Sequence, residues 1–127
     1  MVGQAHAAHP VMPWDHQGMV QGLPVFTLPD DVVLLDVRED DEWRAGHAPH
    51  AVHVPMGQVP LRLDEIVTAF PDSPVHVVCR AGVRSARVTA YLQAQGLDAV
   101  NVEGGMESWL ADGRPLIAET SAPPTVI

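Results

Sequence analysis

Residues 75–96, "VHVVCRAGVRSARVTAYLQAQG", decide the fold. "VHVVC" (75–79) is short, β-branched and almost wholly apolar, the pattern of a strand buried on both faces. After "CRAG" the spacing changes: Val88, Tyr91 and Leu92 share one side of a helix predicted over 84–96, with Gly96 as its stop. A strand, a tight turn and a helix in direct succession form the unit from which parallel sheets are wound.

The flanking sequence repeats this alternation. "VVLLDVR" (32–38) reads as a second buried strand, and "EDDEWRAGH" (39–47), acidic at its front, as a short helix with Gly46 as stop. "AVHVPM" (51–56) is a further strand, and "LRLDEIVTAF" (61–70) brings Leu61, Ile66, Ala69 and Phe70 close to one helical face before Pro71 and Pro74 break the chain. "DAVNV" (98–102) predicts another strand, Gly104-Gly105 a turn, and "MESWLADG" (106–113) a short helix. "PVFTL" (24–28) suits a short edge strand, and Trp43 and Trp109 are expected to lie against the sheet. The expectation is a single α/β domain over 23–117, with a mostly parallel central sheet flanked by helices. Residues 1–22 have no helical or alternating period and read as an N-terminal extension. Residues 118–127, "AETSAPPTVI", read as a disordered C-terminal tail.

The bulk numbers fit one domain: 127 residues can bury roughly two-thirds of the surface of the unfolded chain. The chain is 46% hydrophobic and 18% charged, a globular balance. A net charge of −9 with no lysine argues against nucleic acid or an anionic membrane as partner, since both select basic faces. Apolar runs such as Val32 to Leu35 fall far short of the roughly 20 residues of a membrane span. The start lacks the basic-then-apolar pattern of a secretory signal, and one cysteine cannot form an internal disulfide, so a cytoplasmic location is expected.

That cysteine, Cys79, would stand at the carboxyl end of a parallel strand, where open α/β sheets place their ligand crevices. Arg80, Arg84 and Arg87 follow within ten positions. Gly82 can take backbone angles that a side chain resists, so the loop from Arg80 to Arg84 can turn successive N–H groups inward at a helix N-terminus, an anion nest. Cysteine reacts as its thiolate, a form favoured by a helix N-terminus and by neighbouring cations. The arginines could supply the cationic part if they face the thiol, and a guanidinium can grip an oxyanion with paired hydrogen bonds. The plainer alternative is a small buried cysteine beside arginines on a solvated face.

"LLDVREDDEWRAGHAPHAVHVP", then "VVCRAGVRSARVTAYLQAQG", then "VEGGMESW" resemble, in order, the motifs of the single-domain rhodaneses, a sulfurtransferase family. The resemblance covers roughly residues 23–116. It implies a catalytic Cys79 that takes a sulfane sulfur from a small anionic donor such as thiosulfate, becomes a persulfide, and passes the sulfur to cyanide or a thiol, a protein thiol included. It implies that Arg80, Ala81, Gly82, Val83, Arg84 and Ser85 cradle the persulfide, that Asp36 and Arg38 support the site, and that no cofactor is required. One departure is His50: relatives usually read Gly-His-x-Pro-Gly-Ala where this chain has "GHAPHA" (46–51).

Two other readings use the same residues. A cysteine phosphatase or arsenate reductase also sets a thiolate in a loop between strand and helix, but the phosphatase pattern needs arginine six positions after the cysteine, where this chain has Ser85. A non-catalytic interaction or regulatory module could share the fold, though such modules commonly lack the cysteine or carry a degraded loop. His47, His50 and His53 recur every third residue, but Pro49 breaks any helix between them, so no metal site is expected. His6, His9 and His16 fall in the N-terminal extension.

Overall fold

The computed structural model describes residues 22–72 and 74–127. Five strands form one sheet in the order β1-β5-β4-β2-β3: β1 (Gly22–Pro24), β2 (Leu34–Asp36), β3 (Val52–His53), β4 (Val75–Val78) and β5 (Ala99–Glu103). Every neighbouring pair is parallel. The helices are α1 (Asp40–Ala45), α2 (Leu63–Ala69), α3 (Val83–Ala94) and α4 (Gly105–Ala111). None of the described helices is long and apolar enough to cross a membrane.

Alternation along each strand divides the core between two faces. Leu35, Val75, Val77 and Ala99 point to one face and pack with Ile66 of α2 and Val88 and Leu92 of α3. Leu34, Val78 and Val102 point to the other and pack with Met106 and Trp109 of α4. Burial on both faces explains why the strand sequences read as unbroken apolar runs. β4 lies centrally between β2 and β5, so Cys79 emerges near the middle of the sheet's carboxyl edge.

Several boundaries differ from the sequence reading. The first strand ends at Pro24, and Val25–Thr27 form a 3-10 turn instead of continuing it. Proline brings no N–H to a ladder, and the Thr27 hydroxyl donates to the Pro24 carbonyl at 2.7 Å, closing the turn. Gly22 thus belongs to the sheet, while the rest of the expected extension, with His6, His9 and His16, lies outside the described residues. Leu61 precedes α2 and is 89% exposed, so it forms no part of that helix's buried face. Gly46 follows α1 with an extended backbone, φ 171°, not a left-handed stop. Its lack of a side chain matters for another reason: a Cβ there would run into the Thr125 backbone.

Residues 118–127, expected to form a disordered tail, follow a defined course across α1 instead. Glu119 N–H donates to the Arg44 carbonyl and Thr125 N–H to the Ala45 carbonyl, both at 2.9 Å. Val126 packs against the α4 side of the core. The carbonyls at the end of a helix lack intrahelical partners, and here the tail's N–H groups supply them. Composition favoured disorder, but the exposed end of α1 overrides it.

Candidate active site

Cys79, 1% exposed, follows the last residue of β4. The chain turns at Gly82, whose φ of +111° suits a residue without Cβ, and enters α3 at Val83. The turn folds the first N–H groups of α3 back over the thiol. Cys79 Sγ accepts the Gly82 N–H at 3.1 Å, the Ser85 N–H at 3.3 Å and the Ser85 hydroxyl at 3.2 Å. Gly82 has no side chain to cap α3, so the sulfur occupies the place of a capping oxygen, on donors that precede the first intrahelical bond. Three donors and a helix N-terminus favour a sulfur that carries negative charge.

The loop's carbonyls are held away on the other side. Met106 N–H donates to the Cys79 carbonyl at 2.9 Å and Glu107 N–H to the Arg80 carbonyl at 3.0 Å, so the start of α4 seats the loop. This approach requires Gly105: at its φ of +57° a Cβ would strike the carbonyls of Cys79 and Arg80. The Gly104-Gly105 pair, read from sequence as a turn, also brings the start of α4, at Gly105, against the cysteine loop.

None of the three arginines hydrogen-bonds the sulfur among the described residues, although the charge of Cys79 is one of the influences that raise Arg84. Arg84 makes a bidentate pair with Glu42, Nη1 to Oε1 at 2.8 Å and Nη2 to Oε2 at 2.9 Å. The hydrogen bonds from Arg84 hold the Glu42 carboxyl below its ordinary range, and in return they raise Arg84 further above its own. Arg80 reaches Glu107 at 3.3 Å on the surface. Arg87 lies on the exposed side of α3. Direct hydrogen bonds to Sγ thus come from the backbone and Ser85, and any part the arginines play at the thiol is through charge at a distance. In a chain this acidic, Arg80 and Arg84 each find a carboxylate. The other members of the expected cradle, Ala81 and Val83, are exposed on its rim.

Asp36 and Arg38 are fully buried and form a bidentate pair, Nη2 to Oδ2 at 2.8 Å and Nε to Oδ1 at 3.0 Å. Arg38 also donates to the carbonyls of Gly46 at 2.8 Å and Glu42 at 3.3 Å. The pair therefore ties β2 to α1, α1 carries Glu42, and Glu42 holds the start of α3 through Arg84. No bond joins Asp36 or Arg38 to Sγ among the described residues.

His47, His50 and His53 go separate ways. The half-buried Trp43 ring stacks nearly parallel with His47, at 3.6 Å centroid separation, and with His53, at 4.6 Å. His47 meets Glu119 at 2.7 Å and His53 meets the Arg38 carbonyl at 2.7 Å. His50, the departure in "GHAPHA", sits in an exposed turn that accommodates its side chain. Trp109 is fully buried as expected.

Sequence reasoning missed Glu42 and Asn101, whose side-chain amide donates to the Gly82 carbonyl at 3.2 Å. Glu42 stood among acidic residues that suit any helix start, and its partner lies 42 positions away. The one available signal for Asn101 was a polar residue inside an otherwise apolar strand.

The family model of the rhodanese-like domain matches residues 27–112. The chain is 42% identical over 86 residues to the putative sulfurtransferase YtwF of Bacillus subtilis, covering 68% of this chain and 81% of that protein. It is 39% identical over 90 residues to a sulfurtransferase of Allochromatium vinosum, covering 70% and 81%. Among solved structures, the rhodanese-related protein of Thermoplasma volcanium superposes with a TM-score of 0.68 at 27% identity, covering 76% of this chain and 97% of that one.

Proposed function

The chain belongs to the rhodanese-like domain family and is a rhodanese-type sulfurtransferase, and on that premise we propose that it carries sulfur as a persulfide on Cys79. The observation that carries this reading is the set of three donors converging on Cys79 Sγ at the N-terminus of α3. The reaction has two displacements at sulfur. The Cys79 thiolate attacks the outer sulfur of a small anionic donor such as thiosulfate. A new S–S bond forms as the donor's S–S bond breaks, and sulfite leaves with the bonding pair. The terminal sulfur of the resulting Cys79–S–S⁻ carries the charge, and the N–H groups at the start of α3 stabilise it.

In the second step a thiophilic acceptor, cyanide or a thiol, attacks that terminal sulfur. The bond to Cys79 breaks and the thiolate is restored, with thiocyanate or an acceptor persulfide as product. Neither displacement changes the electron count of the protein, so the chemistry needs no metal or organic cofactor. Asp36 and Arg38 act as supports through α1 and exchange no proton with substrate. A carrier thiol of this kind must stay reduced between turnovers, which suits the cytoplasm.

The test is the mass of the intact protein after exposure to thiosulfate and then to cyanide. The expected result is a gain of one sulfur atom, lost again with cyanide. Cys79→Ser is expected to keep the fold and gain nothing, because a hydroxyl cannot carry a persulfide. An unchanged mass in a protein whose thiol still alkylates would mark a non-catalytic module and overturn the reading.

A further inference from the structure

β5 lies inside the sheet between β4 and β1, where side chains are expected to be apolar, yet it carries Asn101 at 8% exposure. The side chain is only half satisfied. Nδ2 donates to the Gly82 carbonyl at 3.2 Å, while Oδ1 is buried without a hydrogen-bond partner among the described residues. An unpaired buried acceptor disfavours folding, and a leucine of similar size would remove it. Residues that work against stability in this way concentrate where function requires them.

What Asn101 holds is the pivot of the cysteine loop. Gly82 has no side chain to anchor it and an unusually free backbone. Its N–H lies on Cys79 Sγ at 3.1 Å, and its carbonyl also accepts the first α3 bond, from Ala86 N–H at 3.2 Å. The C=O and N–H of a trans peptide point in opposite directions. Holding the Gly82 carbonyl towards β5 therefore directs the Val83 N–H the other way, out of the start of α3. We infer that Asn101 is a positioning residue for sulfur transfer, clamping the Gly82–Val83 peptide at the start of α3 and so fixing Gly82, whose own N–H lies on Cys79 Sγ, before the sulfur arrives. The inference rests on the reading of Cys79 as the sulfur carrier.

The test compares the parent with Asn101→Leu by thermal unfolding, by the rate of persulfide formation from thiosulfate, and by amide hydrogen exchange. The expected result is an unfolding midpoint equal to or above the parent's, and persulfide formation slower by about 10- to 100-fold, the scale of a misplaced catalytic group. Exchange is expected to be faster at Gly82 and Ser85 and unaltered elsewhere in β4 and β5. Persulfide formation at the parent rate, or a slower rate together with a lower midpoint and faster exchange throughout β5, would overturn it, the latter marking a merely structural residue. If Asn101→Leu does not fold, Asn101→Ala removes the same donor without bulk beside Gly82 and is read by the same rate and by exchange at Gly82 and Ser85, well below its own midpoint. Failure of the sulfur-carrier reading is separable, because the parent itself would then take up no sulfur, and the exchange comparison would still decide whether Asn101 holds the loop.

Discussion

Glu42 takes three donors at once, the Glu39 N–H at 3.0 Å and both arms of Arg84. A bidentate pair with its carboxylate mostly shielded exceeds an ordinary surface ion pair, although the guanidinium keeps about a third of its surface in solvent, which screens it. Glu42→Gln is expected to lower stability by about 1 kcal/mol at neutral pH, measured by urea denaturation. The sign of the pH effect follows from the direction of the shift. The folded state holds Glu42 below 4.5, so the contribution is present above that value and is lost as pH falls through the lower, folded one. Parent and variant should converge in acid; a gap that stays constant below pH 4.5 would contradict the pairing. Arg84 thus fastens the start of α3 to α1 through Glu42. Position and residue type near Cys79 are legible in the sequence, but the direction of a guanidinium is set by a carboxylate 42 residues away, which local spacing cannot register.

The unit β4–loop–α3 is the most legible element, because both its hydrophobic pattern and its turn residue are local. The way α4 meets it is not, because that depends on a glycine being used for proximity as well as for turning. Gly105→Ala is expected to cost about 1–3 kcal/mol through backbone strain and crowding at the Cys79 and Arg80 carbonyls. Because the displaced atoms belong to the cysteine loop, the rate of persulfide formation should fall as well, and a destabilised variant with an unchanged rate would show that α4 does not seat the loop. Within β4, burial pushes His76 down from its ordinary value, opposed in part by the charge of Asp98. The unfolded chain therefore takes up the proton more readily, so stability is full above pH 6.5 and is lost as pH falls below it. His76→Gln should flatten that part of the profile, as read by unfolding midpoints across pH 5 to 7.

At the scale of the whole molecule, the α/β class and the succession of elements follow from runs of apolar residues, whereas the tail does not, because its partners are backbone groups with no signature in composition. Truncation after Ile117 leaves the antiparallel bridge between His47 and Ile117 but removes the bonds to Arg44 and Ala45 and the packing of Val126. The expected loss is about 1–2 kcal/mol, seen as an unfolding midpoint lower by several degrees. Gly46→Ala should mimic part of it by crowding Thr125, and full-length stability in both proteins would mean that the tail contributes nothing. The sheet's two ends carry a further consequence. β1 has three residues and closes on Pro24, which has no N–H to offer, and β3 has only two before Pro55. Neither described edge presents the long row of open backbone groups on which a second molecule could add strands. Among the described residues both margins are therefore poor templates for growth into fibrils, without any residue of the active site taking part.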